Sequence, residues 1–168
     1  MLGFSRSKCM KNIQIIKHRR GALGLRLFGL GPKMKPMKGL IQLKKLLDDN
    51  TFWAKGRSMK RLKMMLSKST VVITVWRENN LIGFGRANSD YIFRSVLWDI
   101  VVANENQGEG IGSLLIETLI NVPEIKNVEK IYLMTTHCSD FYKNKGFQFN
   151  SNQKLLYINR ISEISKNN

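Results

Sequence analysis

Apolar residues recur along the chain with two different periods, and each change of period marks a new predicted element. From Leu40 to Leu47 the spacing is helical, and the polar run Asp48-Asp49-Asn50 ends this first predicted helix. A second helix is predicted to begin with Ser58 as its N-cap. Its apolar side chains at helical spacing are predicted to face inward: Met59, Leu62, Met65 and Leu66.

Strand patterns follow the two predicted helices. Residues 71–76 and 81–86 are rich in β-branched and aromatic side chains, and the polar run 78–80 between them predicts a hairpin. Residues 95–103 are longer and mostly apolar, which predicts a strand that is buried on both faces of a sheet.

The second half of the chain continues the alternation of helices and strands. A helix is predicted over residues 111–120, with four side chains facing the sheet: Leu114, Leu115, Ile116 and Leu119. A strand over 129–135, a short helix over 139–145, and a final hairpin of 147–150 with 155–159 complete the order. The pattern predicts an α/β fold, a mixed central sheet flanked by helices with a strand–helix–strand crossover.

Positive charge is concentrated at the start of the chain. The net charge is +16, and residues 1–47 contain 12 Lys or Arg and no acid, which leaves +4 for the rest. We therefore predict a basic N-terminal extension over residues 1–38, a folded domain over 39–160 and a polar C-terminal tail over 161–168. Residues 12–17 within the extension could form one short strand, and a mobile tail and an ordered edge element both remain open.

Neither a membrane span nor a metal site is predicted. No apolar run reaches the roughly 18 residues that a membrane-spanning helix needs. Cys9 and Cys138 have no metal-ligand spacing with each other or with the two histidines, so reduced thiols are expected.

A glycine-rich turn, Gln107-Gly108-Glu109-Gly110-Ile111-Gly112, joins the apolar strand to the next helix. Glycines let the backbone approach a ligand closely, and the N–H groups at a helix start favour a pyrophosphate. The turn fits neither the dinucleotide fingerprint nor the P-loop pattern. A tight turn without a ligand is the alternative.

At these residues the chain resembles the GCN5-related N-acetyltransferase (GNAT) superfamily. Gln107-x-x-Gly110-x-Gly112 is similar to the family's pyrophosphate signature, and Tyr142-x-x-x-Gly146-Phe147 is similar to a second family element. Residues 52–58, 81–87, 96–102 and 132–136 resemble the plastid and cyanobacterial branch, and the similarity covers about residues 40–158. Plant members of that branch are described as serotonin N-acetyltransferases or as protein lysine and N-terminal acetyltransferases.

The resemblance implies a GNAT fold with acetyl-CoA bound, as co-substrate and without a metal, at splayed central strands. Pantetheine would pair with the main chain of Ile100, Val101 and Val102, and the Val101 or Val102 N–H would be the oxyanion donor. The pyrophosphate would bind at Gln107 and at the N–H groups of Gly108, Glu109, Gly110, Ile111, Gly112 and Ser113. Glu109 is compatible with that anion only if its side chain points to solvent.

Asp99 is the candidate catalytic base. It is a carboxylate in an otherwise apolar strand, three residues before that strand enters the glycine turn. A base would convert the charged acceptor amine into a nucleophile, either directly or through water. The alternative is an aspartate that is satisfied by the backbone or by arginines, for which Arg86 and Arg94 are available.

Tyr142 is the second candidate catalytic residue, since it matches the family tyrosine that protonates the CoA thiolate. Phe141 and Phe147 on either side of it are expected to be core residues. His137 and Cys138 could form a nucleophilic pair in principle, but adjacent residues usually point apart and direct amine attack needs no covalent intermediate.

Several acceptors and functions stay open. An arylalkylamine such as serotonin is the first hypothesis, with five aromatic residues that could line an indole pocket or equally belong to the core: Phe52, Trp53, Phe84, Phe93 and Trp98. A protein amine is the second. A nucleic-acid-binding protein is disfavoured because aromatics are scarce among the basic residues, and a non-catalytic CoA-binding protein is a minor option. The resemblance implies the plastid stroma, or a cyanobacterial-type cytoplasm, and leaves a homodimer open.

Overall fold

The structure is a computed structural model that describes residues 12–19 and 39–159. The predicted extension outside residues 12–19, including Cys9, and the predicted tail at 161–168 lie outside the described residues. The chain divides into two compact units, Met1–Met134 and Thr135–Asn168. No helix in the described ranges is long and apolar enough to cross a lipid bilayer.

The first unit is built on one five-stranded sheet. Its strands are β1 (Ile13–Arg19), β2 (Val71–Arg77), β3 (Asn80–Ser89), β4 (Arg94–Val102) and β5 (Lys130–Tyr132). They lie in the order β1-β2-β3-β4-β5, and every neighbouring pair is antiparallel except β4 and β5, which are parallel. The predicted mixed sheet is confirmed, and the short strand predicted near residue 12 is its edge strand β1.

Helices cover both faces of the sheet. They are α1 (Gly39–Asn50), α2 (Met59–Lys68) and α3 (Ile111–Ile120). A core cluster joins α1 and α2 to one face, where Phe84 of β3 is fully buried. The neighbouring Gly83 and Gly85 point to the other face, because a Cβ at either position would contact Ile111 or Leu119 of α3. The sheet is therefore the middle of three layers.

The two N-terminal helices agree closely with the apolar pattern. Leu62 and Leu66 are fully buried, while Met59 and Met65 pack at the margin of the core. The Ser58 side chain accepts a hydrogen bond from the Arg61 N–H, which confirms the predicted N-cap.

The prediction that β4 is buried on both faces is only partly right, because some of its side chains are exposed. Burial alternates along it: Ser95, Leu97, Asp99 and Val101 are buried, whereas Arg94 and Trp98 are exposed. Its pairing with β5 is short and joins only residues 94–96 to residues 130–132. From Leu97 onward the β5 side of β4 has no strand partner among the described residues. The two strands therefore separate there.

Between residues 135 and 159, the second unit forms one short helix, α4 (Ser139–Lys143). The final hairpin predicted from 147–150 and 155–159 is wrong, because neither segment forms a strand in the described residues. Four consecutive apolar residues of the second segment are exposed instead: Leu155, Leu156, Tyr157 and Ile158. Apolar character alone did not make strands without a neighbouring strand to supply their hydrogen bonds.

Candidate active site

A β-bulge in β4 sets the geometry at Asp99. Phe84 pairs with Val101 and Arg86 pairs with Trp98, so one β3 residue, Gly85, stands opposite two β4 residues. Asp99 is one of the two and has a φ of 51°, in the left-handed region. The extra residue shifts the alternation of side chains, so Asp99 can reach Arg86 on the same face of the sheet.

Gly85 is the residue that accommodates this bulge. A Cβ on Gly85 would lie 2.8 Å from the Cδ1 of Ile100 and 2.9 Å from the Cδ1 of Leu119. Both distances are shorter than real Cβ contacts, so a larger residue would displace the bulged strand or α3. The glycine keeps strand and helix close together beneath Asp99.

Asp99 is held by two arginines. The Arg57 Nη1 donates to its Oδ1 at 3.0 Å, and the Arg86 Nε donates to its Oδ2 at 2.7 Å. The Asp99 side chain is 4 % exposed, against 31 % for Arg57 and 15 % for Arg86. The two guanidinium groups bind the carboxylate through charge-assisted hydrogen bonds and fix its orientation.

Only one of the two arginines expected beside Asp99 is there. Arg86 contacts it, whereas Arg94 donates to Glu129 at 2.8 Å instead. The second partner, Arg57, lies 42 positions away in the α1–α2 loop. The sequence reasoning missed Arg57, because no local spacing connects the two residues.

The open edge of β4 leads from Asp99 towards the glycine turn. The Ala103 N–H donates to the Ile82 carbonyl of β3 at 2.9 Å. Because main-chain groups alternate in direction along a strand, the Val101 N–H also points to β3 and the Val102 N–H points away from it. Of the two predicted oxyanion donors, Val102 therefore lies on the open edge and Val101 does not.

The glycine turn has the backbone that the sequence predicts. Gly108 and Gly110 have φ of 79° and 86°, and Gly110 is the N-cap residue of α3. The first hydrogen bond of α3 runs from the Leu114 N–H to the Gly110 carbonyl at 3.0 Å. The N–H groups of Ile111, Gly112 and Ser113 therefore have no acceptor within the helix.

Space and donors together suit an anionic ligand at this turn. A Cβ added at Gly108 or Gly110 would meet no atom within 4 Å, so the backbone there faces open space. The N-terminal N–H groups of a helix carry partial positive charge and favour a phosphate group. The residues present thus fit a pyrophosphate.

Two polar side chains of the turn bind protein rather than pointing into that space. The Gln107 Nε2 donates to the Val102 carbonyl at 3.2 Å and to the Asn104 Oδ1 at 3.0 Å, which ties the turn to the end of β4. Glu109 forms an ion pair with Arg77, and this guanidinium lowers the pKa of the Glu109 carboxyl. The condition that Glu109 point to solvent is not what the structure shows, since the partly buried carboxylate is paired with Arg77.

In the second unit, a tight turn after α4 surrounds Tyr142. The Tyr142 carbonyl accepts the N–H groups of Lys145 and Phe147 at 2.9 and 3.1 Å. Gly146 has a φ of 89°, which brings the chain back at the end of the helix. The Phe147 ring then stands edge-on to the Tyr142 ring at 5.9 Å. This geometry explains the spacing Tyr-x-x-x-Gly-Phe.

The Tyr142 phenol lies in a mainly apolar setting. Its ring packs edge-on against Phe141 at 5.0 Å as well as against Phe147. Burial raises the pKa of Tyr142 to about 12, and the neighbouring Cys138 adds to the shift. Phe141 and Phe147 are half-buried rather than true core residues, and His137 and Cys138 are both exposed.

Comparison with known proteins gives the family. Residues 68–149 match the family described as "Acetyltransferase (GNAT) domain". Over these residues the chain matches a GNAT acetyltransferase domain. That match includes the bulged strand, the glycine turn and the Tyr142 motif.

The chain is similar in sequence to three named acetyltransferases. "Uncharacterized N-acetyltransferase ycf52" of Gracilaria tenuistipitata var. liui is 34% identical over 64% of this chain and 61% of its own length. "Histone acetyltransferase TAP1" of Glycine max is 31% identical over 61% of this chain and 49% of its own length. "Serotonin N-acetyltransferase 2, chloroplastic" of Oryza sativa subsp. japonica is 33% identical over 54% of this chain and 48% of its own length. The matched region is thus less than two thirds of each relative's length.

Solved structures share the fold. A protein of Xanthomonas campestris pv. campestris described as a "putative acetyltransferase belonging to the gnat family" superposes with a TM-score of 0.66 at 19% identity, covering 86% of this chain and 94% of that protein. At this identity the likeness establishes the GNAT fold, in which helices flank a mixed sheet.

Proposed function

We propose that this GNAT domain is an acetyl-CoA-dependent N-acetyltransferase that moves an acetyl group to a primary amine by direct attack. The observation that carries the proposal is the open edge of β4, which runs from the bulge at Asp99 to the glycine turn. Acetyl-CoA would supply the acyl group as an activated thioester. Pantetheine would bind along Ile100, Val101 and Val102 as an added strand, and the pyrophosphate at residues 107–113.

The main chain of β4 would stabilise the transition state. Amine attack on a thioester creates an oxyanion, and a fixed N–H donor beside it lowers the barrier. The Val102 N–H is the proposed donor, because it points to the edge where the thioester would lie. The Val102 carbonyl, in the next peptide group, accepts from Gln107, which helps to fix the main chain on that side of Val102.

Asp99 would handle the proton of the amine. An ammonium group must lose a proton before it can attack, and its pKa is near 10. The Asp99 oxygens offer about four acceptor positions, of which the two arginines fill two. The remaining positions would accept from the ammonium, directly or through one water.

Tyr142 would serve the leaving thiolate. Because the pKa of Tyr142 is about 12 and that of an ordinary thiol is about 8.5, full proton transfer from the free phenol is uphill. A hydrogen bond from the phenol to the developing thiolate stabilises its charge without that cost. The proposed role is therefore hydrogen-bond donation to the sulfur as its bond to carbon breaks, so that CoA can leave as the thiolate.

The acceptor is proposed to be either an arylalkylamine or a protein amine. Similarity to a serotonin N-acetyltransferase supports the first, together with Phe52 and Trp53, which are exposed and pack edge-on at 5.1 Å. Phe84 does not support it, since it is fully buried in the core. Similarity to a histone acetyltransferase supports the second. The chloroplastic relative supports a plastid stroma location.

Two measurements test the proposed function. Calorimetry should detect acetyl-CoA binding, and an assay with serotonin, tryptamine, polyamines and short peptides should detect a free CoA thiol. Lack of acetyl-CoA binding would remove the proposal, and binding without turnover of any amine would leave a CoA-binding protein. Turnover of serotonin without any peptide would identify the arylalkylamine as acceptor.

Replacing Gly110 with alanine tests the pyrophosphate turn. The φ of 86° costs a residue with a Cβ about 1–2 kcal/mol, and relief of that strain would move the N–H groups at the start of α3. We expect acetyl-CoA affinity to fall by about tenfold, measured by calorimetry.

Gly56→Ala is the matched control for this variant. Gly56 has a φ of 80° and equally open surroundings, but it lies in the α1–α2 loop. It should lose similar stability and keep its acetyl-CoA affinity. An equal affinity loss in both variants, or none in Gly110→Ala, would contradict the pyrophosphate assignment.

A further inference from the structure

The chain between Asp49 and Glu78 is entirely without acids. Residues 51–77 contain seven cations: Lys55, Arg57, Lys60, Arg61, Lys63, Lys68 and Arg77. Arg57 and Arg77 are neutralised by Asp99 and Glu109. Four of the others lie on α2, and none of these four has an acidic partner among the described residues. Excess charge therefore collects on one helix.

These charges form a single face. Leu62 and Leu66 hold the inner side of α2 in the core, while five residues share its outer side: Lys60, Arg61, Lys63, Met64 and Lys68. We call these five the cationic face of α2. Met64 is 56 % exposed and lies at its centre, one turn from both Lys60 and Lys68.

The cationic face begins beside the proposed site of acetyl transfer. Arg57, which donates to Asp99, is followed directly by the N-cap residue Ser58 and then by α2. A molecule whose amine reaches Asp99 would therefore have its neighbouring groups within range of these charges, since the Debye length is about 8 Å in physiological salt.

No acid in the described residues forms an ion pair with this face. Residues 1–47 contain no acid, so that part of the chain adds only positive charge. The face is therefore suited to an anion from another molecule. A small cationic amine such as a polyamine would be repelled, whereas an amine flanked by carboxylates would be attracted.

We propose that the cationic face of α2 is a docking surface for an acidic polypeptide segment that carries the acceptor amine. This inference rests on the proposed acetyltransferase function and selects its acceptor class. An exposed methionine among cations suits a peptide with mixed acidic and apolar side chains. A polynucleotide fits less well, because it has no aliphatic amine to acetylate and the face has no aromatic side chain for base stacking.

The experiment compares two peptides with one central lysine, flanked by glutamates in the first and by glutamines in the second. For the wild-type chain, kcat/KM should be about tenfold higher for the glutamate peptide at low salt, and the advantage should fade at high salt. Lys63→Glu should remove most of that advantage, and adding Lys60→Glu should abolish it. Serotonin or tryptamine turnover should not fall in either variant.

Lys126→Glu is the matched control, because Lys126 is an exposed lysine outside α2. It should keep the preference for the glutamate peptide. Equal rates for both peptides in the wild type, an equal effect of Lys126→Glu, or tighter binding of an RNA oligonucleotide than of the glutamate peptide would overturn the docking surface.

The two proposals can fail separately. If small amines are acetylated and neither peptide is, the docking surface is wrong and the acetyltransferase function stands. If no amine is acetylated, the acetyltransferase function fails. Fluorescence anisotropy of a labelled glutamate peptide still measures peptide binding to the cationic face of α2. Peptide affinity that is indifferent to salt and to Lys63→Glu would then refute it.

Discussion

Replacing Tyr142 with phenylalanine should lower kcat by about 100-fold while acetyl-CoA affinity stays nearly unchanged. Loss of a single donor to a developing charge typically costs about 10²–10³ in kcat. The ring contacts with Phe141 and Phe147 do not involve the hydroxyl, so the variant should keep its packing. Steady-state kinetics with calorimetry for the binding step would separate the two quantities.

Tyr157→Phe is the control for this experiment, because Tyr157 lies in the same unit and is 84 % exposed. It should retain the wild-type kcat. If Tyr142→Phe also turned over at the wild-type rate, the phenol would be a packing group and the donor role would be lost.

The pKa of Tyr142 also predicts a pH dependence. Its folded-state pKa of about 12 lies above the ordinary value of 10. The phenol therefore stays protonated, and remains a donor, across the whole range in which the protein would be assayed. By linkage, its contribution to stability is complete below pH 10 and is lost between about pH 10 and pH 12. Ionisation of Tyr142 should therefore cause no rise or fall of the reaction rate between pH 6 and pH 9.

Elements with local signals were predictable from the sequence. Helix α3 occupies residues 111–120 as predicted, because an apolar stripe follows a glycine turn and a proline follows its end. The N-cap at Ser58 and the hairpin of β2 and β3 were equally local. Such features depend on residues that are neighbours in sequence.

Features that depend on distant partners were not predictable in the same way. The bulge at Asp99 depends on the register between β3 and β4, and the Arg57 contact depends on how the α1–α2 loop lies against that strand. The apolar character of β4 predicted that its two faces are covered. It did not predict that the edge of β4 separates from β5 after residue 96. The open edge is what makes β4 a candidate ligand-binding strand.

Replacing Asp99 with asparagine should reduce kcat/KM most strongly at low pH. The fraction of neutral amine falls about tenfold for each pH unit below its pKa, so the unassisted reaction slows steeply as the medium becomes more acidic. A base that accepts the amine proton within the enzyme–substrate complex makes the rate fall less steeply as the pH decreases. The ratio of wild-type to variant activity should therefore rise from pH 9 to pH 6.

The same change should also weaken the fold near the bulge. An amide in place of the carboxylate leaves Arg57 and Arg86 without an anion, and removing one partner of a fully buried pair costs about 3–5 kcal/mol. Both arginines are partly exposed, so we expect about 1–3 kcal/mol in chemical denaturation, discounted for solvent screening.

Glu129→Gln separates the two effects, because it also removes a carboxylate paired with an arginine, but at an exposed position. Its activity profile should match the wild type at every pH. A variant at Asp99 that lost stability yet kept the wild-type pH profile would show that the two arginines simply anchor the α1–α2 loop to the bulge. A loss that grows towards low pH, in protein that is still folded, would instead identify Asp99 as the group that takes the amine proton.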